Sequence, residues 1–239
     1  ILGSKEKINE IKVFNNHSQG LLTSRDAWCI NFSKNALCQN VNRLIDNYNK
    51  SVDKIKNKKI TESNLNKFIS LDSKKINWSR NLKKYFINKK KLSFIKENVR
   101  KIIYRPFTIK WCYFDKYLNE IRYQTPKFYP NKDSENLTIS IMGAGENKEF
   151  SCIMNNLTPE FKTLYNGQHF PFYIYQDFDE QDNEENLFSG LTNKAHKKEN
   201  ISDEFKSDIE KFYSKKISKY EIFYYIYGIF HSENYKTQF

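Results

Sequence analysis

The sequence predicts an α+β fold, a twisted and mostly antiparallel sheet flanked by helices, with a helical C-terminal part. Three observations carry that reading. Apolar residues recur at helical spacing from Leu37 to Ile55. Between 102 and 175 the pattern changes to short alternating runs broken by turn residues. From 202 onward helical spacing returns, with Ser202 and Ser218 at capping positions.

In chain order, Ile11, Val13 and Phe14, and then Ala27 to Phe32, read as short strands around the Ser18-Gln19-Gly20 turn. Ser33 is a good N-cap for a helix running to about Lys58, with the stripe Leu37, Val41, Leu44, Ile45, Tyr48, Val52 and Ile55. A second helical stretch is expected from Thr61, bearing Leu65, Phe68 and Ile69, and a far more basic one across 79–100. Ile102 to Phe114 predicts strands around the Arg105-Pro106 corner. Leu137 to Met142 alternates as a strand, turns at Gly143-Ala144-Gly145 and returns through Phe150 to Met154. Phe170 to Tyr175 is one more strand. Residues 176–186 hold six acids and no base, the composition of an exposed loop. Two helices close the chain, one with Phe205, Ile209, Phe212 and Tyr213, the other with Ile222, Phe223, Ile226, Tyr227 and Phe230. The expected division is a recognition domain over 1–199 and a helical part over 200–239, packed on it as one unit.

At 239 residues the chain suits one large domain or a domain with a small appendage. Aromatics make up 16%, so much of the core should be rings. No run approaches the ~20 apolar residues that span a bilayer, and no signal peptide is present, so no membrane partner is expected. The chain opens at Ile1 without Met and reads as an excised piece. Cys29, Cys38, Cys112 and Cys152 form no CxxC pair and no His lies at ligand spacing. Three of them sit in apolar contexts as small core residues, which implies a reducing cytoplasm.

The net charge is +12, which favours a polyanionic partner, nucleic acid first and a membrane surface second; the partner expected for the whole reading is double-stranded DNA. Residues 74–110 hold thirteen bases and one acid, Glu97, a surplus equal to that of the whole chain. Arg80, Lys83, Lys84, Arg105 and Lys110 are the candidates here for gripping phosphates, with Lys127 beyond them. Reading bases needs Arg, Asn or Gln on turns that reach a groove. The clusters Thr23-Ser24-Arg25-Asp26, Arg122-Tyr123-Gln124 and Gly167-Gln168-His169 each lie beside an expected strand end, so Thr23, Ser24, Arg25, Arg122, Gln124 and Gln168 join the candidate set. For each cluster, a turn satisfying its own backbone is the competing explanation.

Enzyme signatures are missing. No GxxxxGK[ST] phosphate loop occurs, and Gly143-Ala144-Gly145 lacks the spacing of a dinucleotide loop. The histidines are scattered, and the acids at 177–185 lack the glycine and terminal Glu of an EF-hand. The expectation is a fragment with no catalytic, cofactor or metal site. The residues leave two other readings open. One is a standalone metal-dependent nuclease using the acids at 177–185. The other is a structural interaction module whose aromatic helix docks a partner and whose lysines reflect AT-rich codon usage.

Gly20-Leu21-Leu22-Thr23-Ser24-Arg25-Asp26-Ala27-Trp28 resembles the "G-x-x-T-x-R-D-x-W" block of the C-terminal specificity domain of type ISP restriction–modification enzymes. Tyr104-Arg105-Pro106-Phe107 with Trp111-Cys112-Tyr113-Phe114-Asp115 is similar to that family's "Y-R-P-F-D…W-x-Y-x-D" block. Phe150 to Ile153 and Gln168 to Tyr173 resemble its later strands, and Tyr225 to Ser232 its closing "Y-x-Y-x-x-L-H-S" helix. The blocks keep the family's order across nearly the whole chain. Thr108, His169 and Phe230 depart from it, standing where Asp, Cys and Leu are usual. The resemblance implies target recognition within a parent that joins nuclease, helicase-like motor and adenine methyltransferase. Such a parent uses S-adenosylmethionine, ATP and Mg, and its methyltransferase domain would be this segment's partner. The methyltransferase's Pro-Pro-aromatic motif does not occur here.

Overall fold

The computed structural model describes residues 12–143, 149–175 and 197–238. After β1 (Ser18–Gln19), the expected strand from Ala27 begins instead as a helical turn, α1 (Asp26–Cys29), and only β2 (Ile30–Asn31) is extended. Trp28 and Cys29 are both buried, and a strand would send them to opposite faces. Ser33 then caps α2 (Lys34–Lys54), its hydroxyl accepting from the Ala36 N–H at 3.3 Å. The predicted stripe from Leu37 to Val52 is the buried face of this helix.

The helix expected from Thr61 is absent except for one 3-10 turn at Leu65–Lys67. Asn64 explains this locally, since its side chain takes the Thr61 N–H and bonds the Lys59 carbonyl, competing with helical pairing. The basic helix is also shorter than its sequence suggests. Ser79 caps α3 (Arg80–Ile87), which ends in a Schellman-type turn: Lys90 N–H bonds Tyr85 O, Lys89 N–H bonds Phe86 O, and Lys89 is left-handed at φ 55°. Beyond it the chain is captured by α2. Asn49 bonds both the N–H and the carbonyl of Leu92, and the Tyr48 hydroxyl donates to Lys90 O.

β3 (Val99–Arg105) and β4 (Thr108–Tyr113) form the hairpin expected around Arg105-Pro106, with a register shift between Ile103 and Arg105. The short α4 (Thr125–Phe128) precedes β5 (Thr138–Ile141) and β6 (Cys152–Asn155), which pair antiparallel as predicted. β7 (Thr158–Pro159) follows, and the strand expected over 170–175 is two, β8 (Gln168–Pro171) and β9 (Tyr173–Tyr175). β9 pairs with β10 (Lys197–Glu199). The chain closes with α5 (Asp203–Tyr213), α6 (Lys219–His231) and α7 (Glu233–Gln238); Ser202 caps α5, and Ser218 with Glu221 forms a capping box on α6.

The strands therefore divide, where one twisted sheet was expected. Among the described residues there are two four-stranded sheets, β2-β4-β3-β7 and β1-β8-β5-β6, and the β9–β10 ribbon. The α+β class holds. One core lies between α2, α3 and the first sheet, and includes Tyr48, Phe86, Val99 and Tyr113. A second sets α6 against the second sheet through Phe14, Ile139, Phe170, Phe223 and Ile226, and a small third joins Leu21, Ile30, Ile102, Cys112 and Phe114. The aromatic helix α6 is core on one face only: Tyr224 and Tyr225 are exposed. The acids at 177–185 lie outside the described residues, as do Ile11 and most of the 143–148 turn.

Candidate nucleic-acid interface

Where the two sheets meet, loops distant in sequence converge. Leu22 and Ile121 exchange backbone hydrogen bonds at 2.9 and 3.0 Å. Leu21 bonds Pro159 O and receives Phe161 N–H, while Glu160 N–H reaches Ile103 O. Gly20 permits this close approach, because a Cβ there would sit 2.5 Å from Glu160 O. The Ser18 hydroxyl accepts from Gln124 N–H, and Ser18 and Gln19 pair with His169 and Gln168. All three polar clusters read from the sequence thus belong to one surface, with the β3–β4 turn as its fourth member.

The underside of this cluster is a polar bolt. Arg25 is 2% exposed. Its guanidinium donates to Leu118 O and to Ser79 Oγ, tying the first loop to the turn before Asn119 and to the start of α3. Thr23 donates to Asp26, which also accepts from the Tyr104 hydroxyl at 3.1 Å. Arg105 pairs with Glu160, whose carboxylate also takes the Lys162 N–H at 2.8 Å. Burial raises the pKa of Glu160, opposed by that N–H and by Arg105. Burial also lowers the pKa of Arg25. Thr23 and Arg25 were expected to face a ligand. They instead hold the loops together, and Arg105 is largely engaged by Glu160.

The rim carries the remaining candidates. Ser24 is exposed, in a left-handed conformation at φ 53°, and its carbonyl accepts from Asn77. Arg80, Lys83 and Lys84 stand on α3, whose first turn is anchored to this surface by Arg25 and by Asn81 hydrogen-bonding Glu120. Arg80 and Lys84 are exposed, Lys83 partly so, and Lys127 is exposed on α4; none of the four has an ion pair among the described residues. Gln124 accepts from Asn16 at 2.7 Å, and Gln168 is partly exposed. Arg122 lies over the Phe114 ring at 5.3 Å and favours the Asp115 charge. Lys110 stacks over Tyr104 at 3.8 Å and over Phe32 at 4.5 Å.

The basic run 74–110 is less uniform than its composition. Arg100 is buried, donating to Tyr129 O at 2.7 Å, and burial lowers its pKa to about 10. Lys91 pairs with Asp53 and Lys75 with Asp72. What composition could not reveal is strain. Ser24, Phe107, Tyr123, Tyr165 and Asn166 all have positive φ without being glycine, and all lie in the converging loops. Such conformations cluster where surrounding structure enforces them, often at functional sites. Deeper still, His169 is fully buried with Nδ1 2.8 Å from Ser140 Oγ, and burial drives its pKa down to about 3. Among the described residues no group of three or more His, Cys, Asp or Glu is placed to hold a metal ion, and no helix is long and apolar enough to cross a membrane.

Three solved structures share this architecture. A nuclease-deletion mutant of the Type ISP restriction-modification enzyme LlaGI, in complex with a DNA substrate mimic, matches 97% of the chain at 28% identity and TM-score 0.79. The ATP-dependent Type ISP restriction-modification enzyme LlaBIII, bound to DNA, matches 97% at 28% and 0.79. The DrdV–DNA complex shares the fold over 98% at 24% identity and 0.79. The chain spans only 19%, 14% and 22% of those three chains, respectively. No curated protein matches it. The model of the Type ISP C-terminal specificity domain matches residues 12–239. With its motif blocks accounted for as the bolt and hairpin of this fold, the chain belongs to the Type ISP C-terminal specificity domain family.

Proposed function

We propose that this chain recognises a double-stranded DNA target as the specificity domain of a restriction–modification polypeptide. The observation that carries it is the convergence of three separate polar clusters in one assembly of loops, whose rim holds Arg80, Lys83, Lys84 and Lys127 without ion pairs among the described residues. Arg80, Lys83, Lys84 and Lys127 grip phosphates, which supplies affinity without sequence information. Ser24 and Gln168 are candidates for base edges, as are Arg122 and Gln124 if they exchange the Phe114 ring and Asn16 for DNA. The family and its DNA-bound relatives support this reading.

In the parent, the chain would position one adenine for extrusion into the methyltransferase domain, its partner within the polypeptide. S-adenosylmethionine, ATP and Mg belong to parts of the parent outside this chain. The segment 200–239 acts as one unit with the rest, supported by the shared core of α6 and the second sheet.

The test is duplex affinity measured across a salt series. Lys83→Ala with Lys84→Ala should weaken binding to every duplex and reduce the log-affinity-against-log-salt slope by about 1 to 2. A slope equal to wild type would remove α3 from the interface, and no binding to any duplex at low salt by the folded chain would sink the reading itself.

A further inference from the structure

We infer that Phe107 is an aromatic wedge that the β3–β4 turn presses into the base stack of bound DNA, an inference that rests on the DNA-recognition reading. Phe107 is 93% exposed, the most exposed of the large hydrophobic residues described. It is not a loose end. Pro106 precedes it, Arg105 and Thr108 pair directly across the turn, and Phe107 itself is held left-handed at φ 61°. Pro followed by a positive φ is the type II pattern, in which the second of these positions favours Gly or Asn. A phenylalanine there gains no burial and bears a conformational cost, so folding alone gives no reason for it.

The surroundings select the partner. Ile109 on β4 is 51% exposed, and Phe32, which follows β2 beside β4, is 70% exposed, so this end of the sheet presents apolar surface. Cations line the hairpin behind it: Arg105 over Tyr104 at 4.0 Å, Lys110 over Tyr104 and Phe32, and, farther from the tip, Lys34 and Lys101 over Trp111 at 4.9 and 5.5 Å. Asp26 and Glu160, the acids in contact with this end, are engaged within the bolt. An exposed ring at the tip of a hairpin that carries cations along its length is complementary to a duplex, in which phosphates flank stacked bases. Apolar side chains that enter a base step unstack it partly, and the step opens most readily where pairing is already lost.

The test compares a short intact duplex with the same duplex carrying one abasic site. The wild-type chain should bind the abasic duplex about tenfold more tightly, since a gap accepts the ring without unstacking. Phe107→Ala should bring the ratio close to one, while Phe107→Trp keeps it. Lys101→Ala with Lys110→Ala should weaken both duplexes equally and leave the ratio intact. A ratio that survives Phe107→Ala, or is absent in wild type while both duplexes bind, overturns the wedge and leaves the DNA reading standing. Binding to neither duplex at low salt overturns both.

Discussion

The underside and the rim of the loop cluster use the same residue types in opposite ways. Beneath it, Arg25 is enclosed and donates to Leu118 O and Ser79 Oγ, and Asp26 gathers Thr23 and Tyr104. On the rim, Arg80 and Lys84 are exposed and have no ion pair among the described residues. Removing a buried guanidinium leaves unsatisfied groups in the interior, whereas removing an exposed one loses little stability. The block around Arg25 that resembles the family's motif therefore serves the scaffold, and the proposed ligand-facing groups lie beside it.

That contrast sets the scale of what mutation should do. Arg25→Ala should cost about 3 kcal/mol or more in a denaturant melt, because two interior hydrogen bonds and their packing are lost. Lys83→Ala with Lys84→Ala should shift the same melt by less than about 0.5 kcal/mol. If Arg25→Ala melts like wild type, the bolt is not holding the loops.

The second prediction probes the interior through pH. The folded pKa of His169 is about 3, against 6.5 for the free side chain, so the folded state keeps this ring neutral. Above pH 6.5 both states are neutral and the group has no effect. As pH falls from 6.5 toward 3, the unfolded chain takes up a proton that the folded chain refuses. Stability is then lost by about 1.4 kcal/mol per pH unit. His169→Cys should remove that component, so the difference between the two pH–stability curves isolates it. Parallel curves below pH 6 would mean that the folded ring titrates normally.

A change at the hairpin tip has the opposite sign. Phe107→Gly relieves a left-handed non-glycine residue at an exposed turn, and should raise stability by about 1 kcal/mol while weakening preference for an opened duplex. A destabilised Phe107→Gly would show that the ring supports the hairpin rather than a ligand.

Much of the fold was legible because it is written locally. The α2 stripe, the Ser33, Ser202 and Ser218 caps, and the β5–β6 pairing each depend on residues a few positions apart. The reading failed where local pattern met remote partners. Residues 88–98 have helical composition, yet Asn49 and Tyr48 of α2 take the backbone groups of Lys90 and Leu92, and only a 3-10 turn forms, at Lys96–Asn98. Trp28 and Cys29 alternate like a strand but are drawn to one side by a shared core. One twisted sheet was expected because strands were visible and their pairing was not.

The candidate site divides in the same way. Two things were settled by the amino-acid sequence alone: a charge surplus that favours a polyanionic partner, and the order of the blocks that resemble the family's. Only the tertiary structure decided which members of those blocks face outward. Arg25 is interior because Ser79 and Leu118, 54 and 93 positions away, arrive to accept its hydrogen bonds. Phe107 is exterior because the turn forces it left-handed and no segment among the described residues covers it. A polar side chain is buried when distant segments supply its partners, and no local pattern records their arrival.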